Sequence, residues 1–134
     1  MSIALVTGSA GLIGSETCRR FSIENMDIVG IDNDMRSLFF GHQASTSKTA
    51  LQLQTQLPRY THHCIDIRNW DAVEHLIKTI RKDLRAVVHT AAQPSHDWAA
   101  QAPFVGQTAK KAADSSHEQC KFSTVHGQIS ALIP

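Results

Sequence analysis

The sequence predicts an α/β fold, a doubly wound parallel sheet that ends after about four strands. Three observations predict it. Apolar runs without polar alternation at Ile3–Thr7, 27–32 and 86–89 fit strands buried on both faces. A glycine-rich turn joins the first run to a helical stretch. Strand, helix and strand then occupy about 30 residues, the length of a right-handed βαβ unit.

The elements follow in order. Residues 14–24 read as a helix with Cys18, Phe21 and Ile13/Thr17 on one side and Glu16, Arg19 and Arg20 on the other. Residues 27–32 make a second buried strand ending in an acid. Residues 33–58 are looser; Leu51, Leu53 and Leu57 fit a short helix stopped by Pro58. A third strand is expected at residues 60–67, although His62-His63 spoils its pattern. Asn69 or Asp71 caps a helix whose apolar stripe is Val73, Leu76, Ile77 and Ile80, with Arg81-Lys82 in its last turn. Residues 86–89 form a fourth buried strand, and Asp97 could open another helix. From Gly106 onward the chain turns polar and loses its apolar stripe, leaving only Ile129, Leu132 and Ile133 as a brief apolar end. The expected division is therefore 1–104, a nucleotide-binding half, and 105–134, a divergent tail.

Composition narrows the function classes. The 134 residues are 42% apolar and 19% charged with a formal net charge of +1, so nothing points to nucleic acid or an acidic membrane. Cys18, Cys64 and Cys120 are odd in number and far apart, which fits reduced thiols and a cytoplasmic protein. The first apolar run is too short for a signal peptide, and no stretch approaches the roughly 20 residues of a membrane span.

The turn Gly8-Ser9-Ala10-Gly11-Leu12-Ile13-Gly14 carries the most information. Gly8 permits a tight exit from the strand. Gly11 removes a side chain where backbone must approach a diphosphate, and Gly14 allows close packing of the helix on the sheet. The helix N-terminus, around Leu12 and Ile13, offers unpaired N–H groups to the phosphates. Asp32 lies 18 residues beyond Gly14, at the end of the next strand. A carboxylate there accepts hydrogen bonds from ribose hydroxyls and repels a 2′-phosphate. The pattern favours NAD over NADP, with Arg36 as the one contrary sign. No Gly-Lys-Ser/Thr follows, so a mononucleotide P-loop is excluded.

The spacing Thr7-Gly8-x-x-Gly11-x-x-Gly14 resembles that of the extended short-chain dehydrogenase/reductases. Asp66-Ile67-Arg68-Asn69 resembles the acidic motif after that family's third strand, and Val87-Val88-His89-Thr90-Ala91-Ala92 its fourth-strand motif. Gly30-Ile31-Asp32-Asn33-Asp34-Met35-Arg36 and Ala91-Ala92-Gln93-Pro94-Ser95-His96-Asp97-Trp98 are similar to NAD-dependent epimerase/dehydratases of the CDP-paratose (tyvelose) 2-epimerase-like type. The match covers 1–104, about the first third of such an enzyme. It implies a Rossmann-type fold with NAD as cofactor. It adds Asn33, Asp66, Ile67, Ala91, Ala92 and Gln93 to Gly8, Gly11, Leu12, Ile13, Gly14 and Asp32 as cofactor-binding residues. The partners it implies are NAD and a nucleotide-sugar, with a homodimer left open.

In such enzymes a sugar hydroxyl is oxidised by hydride transfer to NAD+ and the keto sugar is reduced again on its other face. The base is a tyrosine assisted by a lysine four residues on, and a Ser/Thr upstream orients substrate. This chain departs there. Its single tyrosine, Tyr60, is followed at the corresponding position by Cys64. Residues 105–134 lack the next family helix and the fifth strand, which predicts a C-terminal segment out of frame or unrelated. It also predicts an uncovered edge on the fourth strand. The expected function is thus the NAD-binding N-terminal part of a nucleotide-sugar epimerase/dehydratase, without its own catalytic residues. The alternative is a non-catalytic NAD-sensing or protein-interaction module that uses the divergent tail.

Other groupings read more plainly. His62-His63-Cys64 falls on a strand, where neighbours point to opposite faces, and His117, Cys120 and His126 sit in the tail; neither is expected to bind metal. Ser95-His96-Asp97 resembles a triad only on paper, since adjacent residues rarely reach triad geometry. Trp70, Trp98 and Phe104 read as packing residues and Lys110-Lys111 as a solvated pair.

Overall fold

Apolar strands without a polar face need cover on both sides, and this chain supplies it with helices from two directions. A computed structural model of the chain describes residues 1–92, 122–125 and 129–132. The elements are β1 (Ile3–Thr7), α1 (Leu12–Ile23), β2 (Asp27–Ile31), α2 (Met35–Phe40), a 3-10 turn (His42–Ala44), α3 (Ser47–Gln56), β3 (Tyr60–His63), α4 (Trp70–Ile80), β4 (Leu84–His89), β5 (Phe122–Val125) and β6 (Ile129–Leu132). The sheet order is β3-β2-β1-β4-β6-β5. The first four of these are parallel, as expected, with Ile3–Thr7 in register with 27–31 on one side and 84–89 on the other.

The two faces of that sheet form two cores. On one, Ile3, Leu5, Val29, Ile31 and Val87 meet Leu76 of α4, with Ile77 and Ile80 alongside. On the other, Val6, Ile28, Tyr60 and Val88 meet Cys18 of α1 and Leu53 of α3, with Phe21 and Leu57 at the margin. Burying one such side chain stabilises by roughly 1.5–3 kcal/mol. Both faces are covered, so the sheet is doubly wound.

Four local features differ from expectation. The buried face of α1 is Gly14, Ser15 and Cys18, whereas Ile13 is half exposed because it sits on the open first turn, beyond the carboxyl ends of the strands. The third strand stops at His63 and does not reach 67. Residues 35–40 form α2, a helix without a buried residue and therefore without an apolar stripe to read. The fourth difference concerns the edge of β4, expected to be bare. There β6 pairs antiparallel with it, Val88 opposite Ala131 and His89 opposite Ser130, and β5 pairs antiparallel with β6. The tail contributes these two strands. Among the described residues no helix is long and apolar enough to cross a membrane.

Candidate functional site

The carboxyl ends of β1, β2 and β4 converge on the glycine-rich turn. Gly8 leaves β1 at φ +68°, a conformation that favours glycine. A Cβ there would lie 2.7 Å from the Ala91 nitrogen, so β4's continuation presses directly on the turn. The amides of Gly8 and Ser9 donate to the Ile31 carbonyl at 2.7 and 3.2 Å, which ties the turn to β2. Thr90 Oγ1 donates to the Thr7 carbonyl at 2.7 Å, and Thr7 Oγ1 lies 2.6 Å from His89 Nδ1, which ties β1 to β4.

The three glycines have three different reasons. At Gly14 a Cβ would sit 2.0 Å from the Gly8 carbonyl oxygen, so this glycine is required by contact with the turn itself, not with the sheet as the sequence reading had it. Gly11 is the N-cap of α1, and a Cβ there would meet only the Gly8 carbonyl oxygen, at 3.2 Å, with open space beyond. No side chain caps this helix and no acid occupies its first turn. Among the described residues the amides of Leu12, Ile13 and Gly14 have no acceptor; the first helical bond is Ser15 N–H to the Gly11 carbonyl, 2.9 Å. Leu12 is 83% exposed. Bare amides, an open glycine and exposed apolar side chains together make a cradle that fits a diphosphate.

Asp32 closes the cradle on the β2 side. Its Oδ2 accepts from the Ala10 amide at 3.2 Å, and its Oδ1 from the Asp34 amide at 2.8 Å and Thr46 Oγ1 at 3.1 Å. The carboxylate is therefore fixed beside the turn while part of its surface faces a cleft of about 330 Å³. Asn33, Thr46, Ala50, His62 and Cys64 also line that cleft. Asp34, in the left-handed region at φ 53°, shapes the loop. Burial pushes its carboxyl up, but hydrogen bonds from Ser45 and Thr46 outweigh this and hold it below the ordinary value. Sequence reasoning missed Asp34, Ser45 and Thr46; the only signal was an Asp-x-Asp spacing followed by a Ser-Thr pair.

The remaining expected site residues are placed as follows. Asp66 follows β3 and is gripped by Arg68, whose Nε lies 3.0 Å from both carboxylate oxygens; that contact holds Asp66 below its ordinary value. Ile67 packs against the α4 core. Ala91 and Ala92 follow β4, and the Ala91 backbone lies directly against Gly8. Arg36 lies over the Phe40 ring, 5.6 Å from its centroid. Gln93 lies outside the described residues, as do Ser95, His96, Asp97, Trp98, Phe104, His117, Cys120 and His126. Among the described residues no group of three His, Cys, Asp or Glu side chains gathers that could hold a metal. Tyr60 lies in the core, where burial above all pushes its hydroxyl up to about 12.

A family model described as "NAD dependent epimerase/dehydratase family" matches residues 4–109. No curated protein sequence matches the chain. Solved structures do. The UDP-Glc/GlcNAc 4-epimerase from Campylobacter jejuni is 22% identical with a TM-score of 0.68, the similarity covering 89% of this chain and 34% of that one. UDP-glucose-4-epimerase from Stenotrophomonas maltophila, solved with bound NAD and formylated UDP-arabinopyranose, is 20% identical with a TM-score of 0.68, covering 88% and 34%. The Bordetella bronchiseptica enzyme WbmH, solved in complex with NAD+, is 26% identical with a TM-score of 0.57, covering 87% and 36%. The chain spans about a third of the length of these structures.

Proposed function

Because the chain belongs to the NAD dependent epimerase/dehydratase family, we propose that its sheet and glycine-rich turn bind NAD as the cofactor half of a nucleotide-sugar epimerase/dehydratase. The observation that carries this reading is the hydrogen bond from the Ala10 amide to Asp32, 3.2 Å. It ties the Asp32 carboxylate, read here as the ribose ligand, to the turn that precedes an uncapped helix N-terminus.

In this reading Gly11, Leu12, Ile13 and Gly14 present amides to the diphosphate, and Gly8 keeps the turn low enough to admit it. Asp32 and Asn33 hold the adenosine ribose, Asp66 and Ile67 border the adenine, and Ala91, Ala92 and Gln93 flank the nicotinamide ribose. Bound NAD would supply a hydride acceptor and donor for a sugar hydroxyl. The protein's own contribution is position and electrostatics. Asp32 disfavours a 2′-phosphate, and Arg36, stacked on Phe40, is engaged elsewhere.

These 134 residues contain no Tyr-x-x-x-Lys pair to act as base for that chemistry. Tyr60, buried and neutral, is the single tyrosine and has Cys64 where an assisting lysine would stand. The domain on its own therefore binds and does not turn over. Backbone amide NMR on the chain titrated with NAD tests the reading. Saturable shifts centred on residues 8–14 and 32–33 support it; shifts elsewhere, or none in a folded protein, refute it.

One observation favours a second reading, a non-catalytic NAD-responsive module. The β5–β6 hairpin lies on the β4 edge where the family resemblance puts a parallel strand carrying the substrate-orienting Ser/Thr. A chain lacking 122–134 that binds NAD unchanged but loses a protein partner would favour it over the first.

A further inference from the structure

A polar line runs through the apolar core beneath the glycine-rich turn. Ser9, with no exposed surface, lies 2.9 Å by its Oγ from the hydroxyl of Tyr60, itself 7% exposed. That hydroxyl lies 3.1 Å from His62 Nδ1. The line crosses β2 at Gly30, where a Cβ would stand 2.4 Å from the Tyr60 oxygen and 2.6 Å from Ser9 Oγ. Around it are Val6, Cys18, Ile28, Leu53 and Val88.

Hydroxyls in such surroundings cost desolvation that an Ala and Phe pair would avoid. Their placement gives them a use. Ser9 sits between Gly8, which needs its positive φ, and Ala10, whose amide points at Asp32. Fixing the Ser9 side chain from below fixes the plane of the turn above it. We propose that Tyr60 is a positioning residue for the cofactor turn: its hydroxyl anchors Ser9 and so holds residues 8–14 and the Ala10 amide in the geometry that receives a diphosphate and braces Asp32. The proposal rests on the NAD-binding reading for its purpose, though not for its first readout.

Burial holds the His62 ring below its ordinary value, which favours the neutral ring. The Tyr60 hydroxyl bridges the two: either oxygen of the Ser9–Tyr60 pair can donate, and the His62 tautomer sets the direction of the Tyr60–His62 bond. The His62 ring in turn borders the cleft that Asp32 and Asn33 line.

Tyr60→Phe keeps the ring and leaves Ser9 without its hydroxyl partner. The full chain, Tyr60→Phe, Ser9→Ala and Leu53→Ala are compared by amide hydrogen exchange without NAD, by denaturation, and by calorimetric titration with NAD. Leu53→Ala, in the same core, reports loss of packing alone. The expected result is faster exchange at residues 9–14 in both hydroxyl variants, beyond any change in global stability, with NAD affinity about 3- to 10-fold weaker. Leu53→Ala loses stability while its folded fraction keeps its NAD affinity. Should Tyr60→Phe fail to fold, Ser9→Ala carries the same comparison. Unchanged exchange at residues 9–14 overturns the proposal whatever NAD does. Faster exchange in a chain that never binds NAD sustains the anchor and refutes the cofactor reading instead.

Discussion

The Ala10 amide donates to Asp32 Oδ2 at 3.2 Å, across 22 residues of chain. The loop after β1 and the tip of β2 are therefore tied together, since the Gly8 and Ser9 amides also donate to the Ile31 carbonyl. Asp32 also receives the Asp34 amide and the Thr46 hydroxyl, so its carboxylate is oriented before any ligand arrives.

That orientation predicts cofactor choice. A fixed negative charge at the ribose edge should favour NAD over NADP by about tenfold or more. Asp32→Ser should narrow the ratio by restoring NADP, measured by titrating both dinucleotides. A ratio unmoved by the substitution would place the 2′ position somewhere other than beside Asp32.

Glycine substitutions separate contact from conformation. Gly14→Ala puts a methyl 2.0 Å from a backbone carbonyl oxygen that cannot step aside, and should cost about 2 kcal/mol or more in denaturant unfolding. Gly41→Ala has open space around it, but its φ of +84° with ψ of 174° is a conformation almost confined to glycine, so about 1–3 kcal/mol is expected from the backbone alone. A loss well under 1 kcal/mol at Gly14 would contradict the contact reading.

Acidification should destabilise the fold in two stages. The His62 ring is held below its ordinary 6.5 by burial, so the unfolded chain takes up the proton first. Stability is lost as pH falls from that value toward the lower folded one. The carboxyls of Asp34 and Asp66 are also held below 3.8, and what they contribute is present above that value and lost as pH falls through their folded ones. Thermal melts across the range should show both stages, and His62→Gln should flatten only the upper one.

The thiols should differ sharply. Burial pushes Cys18 up to about 12, whereas Cys64 is exposed at the cleft. Mass spectrometry after brief alkylation should find Cys64 modified and Cys18 intact until denaturant is added. Rapid labelling of Cys18 in the folded chain would mean that α1 does not pack as described.

Much of this was legible in the sequence because it is local. The apolar runs of β1, β2 and β4 name their own burial, Asn69 caps α4 by accepting from the Ala72 amide at 3.2 Å, and the glycine spacing with Asp32 marks the site. What was not legible is non-local or unpatterned. Nothing near Tyr60 announces Ser9, 51 residues away, and α2 has no buried face to give it a period. The pairing of 129–132 with β4 depends on an open edge elsewhere in the chain, not on the polar residues before it.

The most direct measurement is calorimetry of NAD binding to the full chain and to Asp32→Ala. Saturable binding that weakens by about 1.5–3 kcal/mol in the variant is the result expected of a charged hydrogen-bonding carboxylate. A folded chain that ignores millimolar NAD, or a variant that binds it equally well, would contradict the assignment of this turn and this acid to the cofactor.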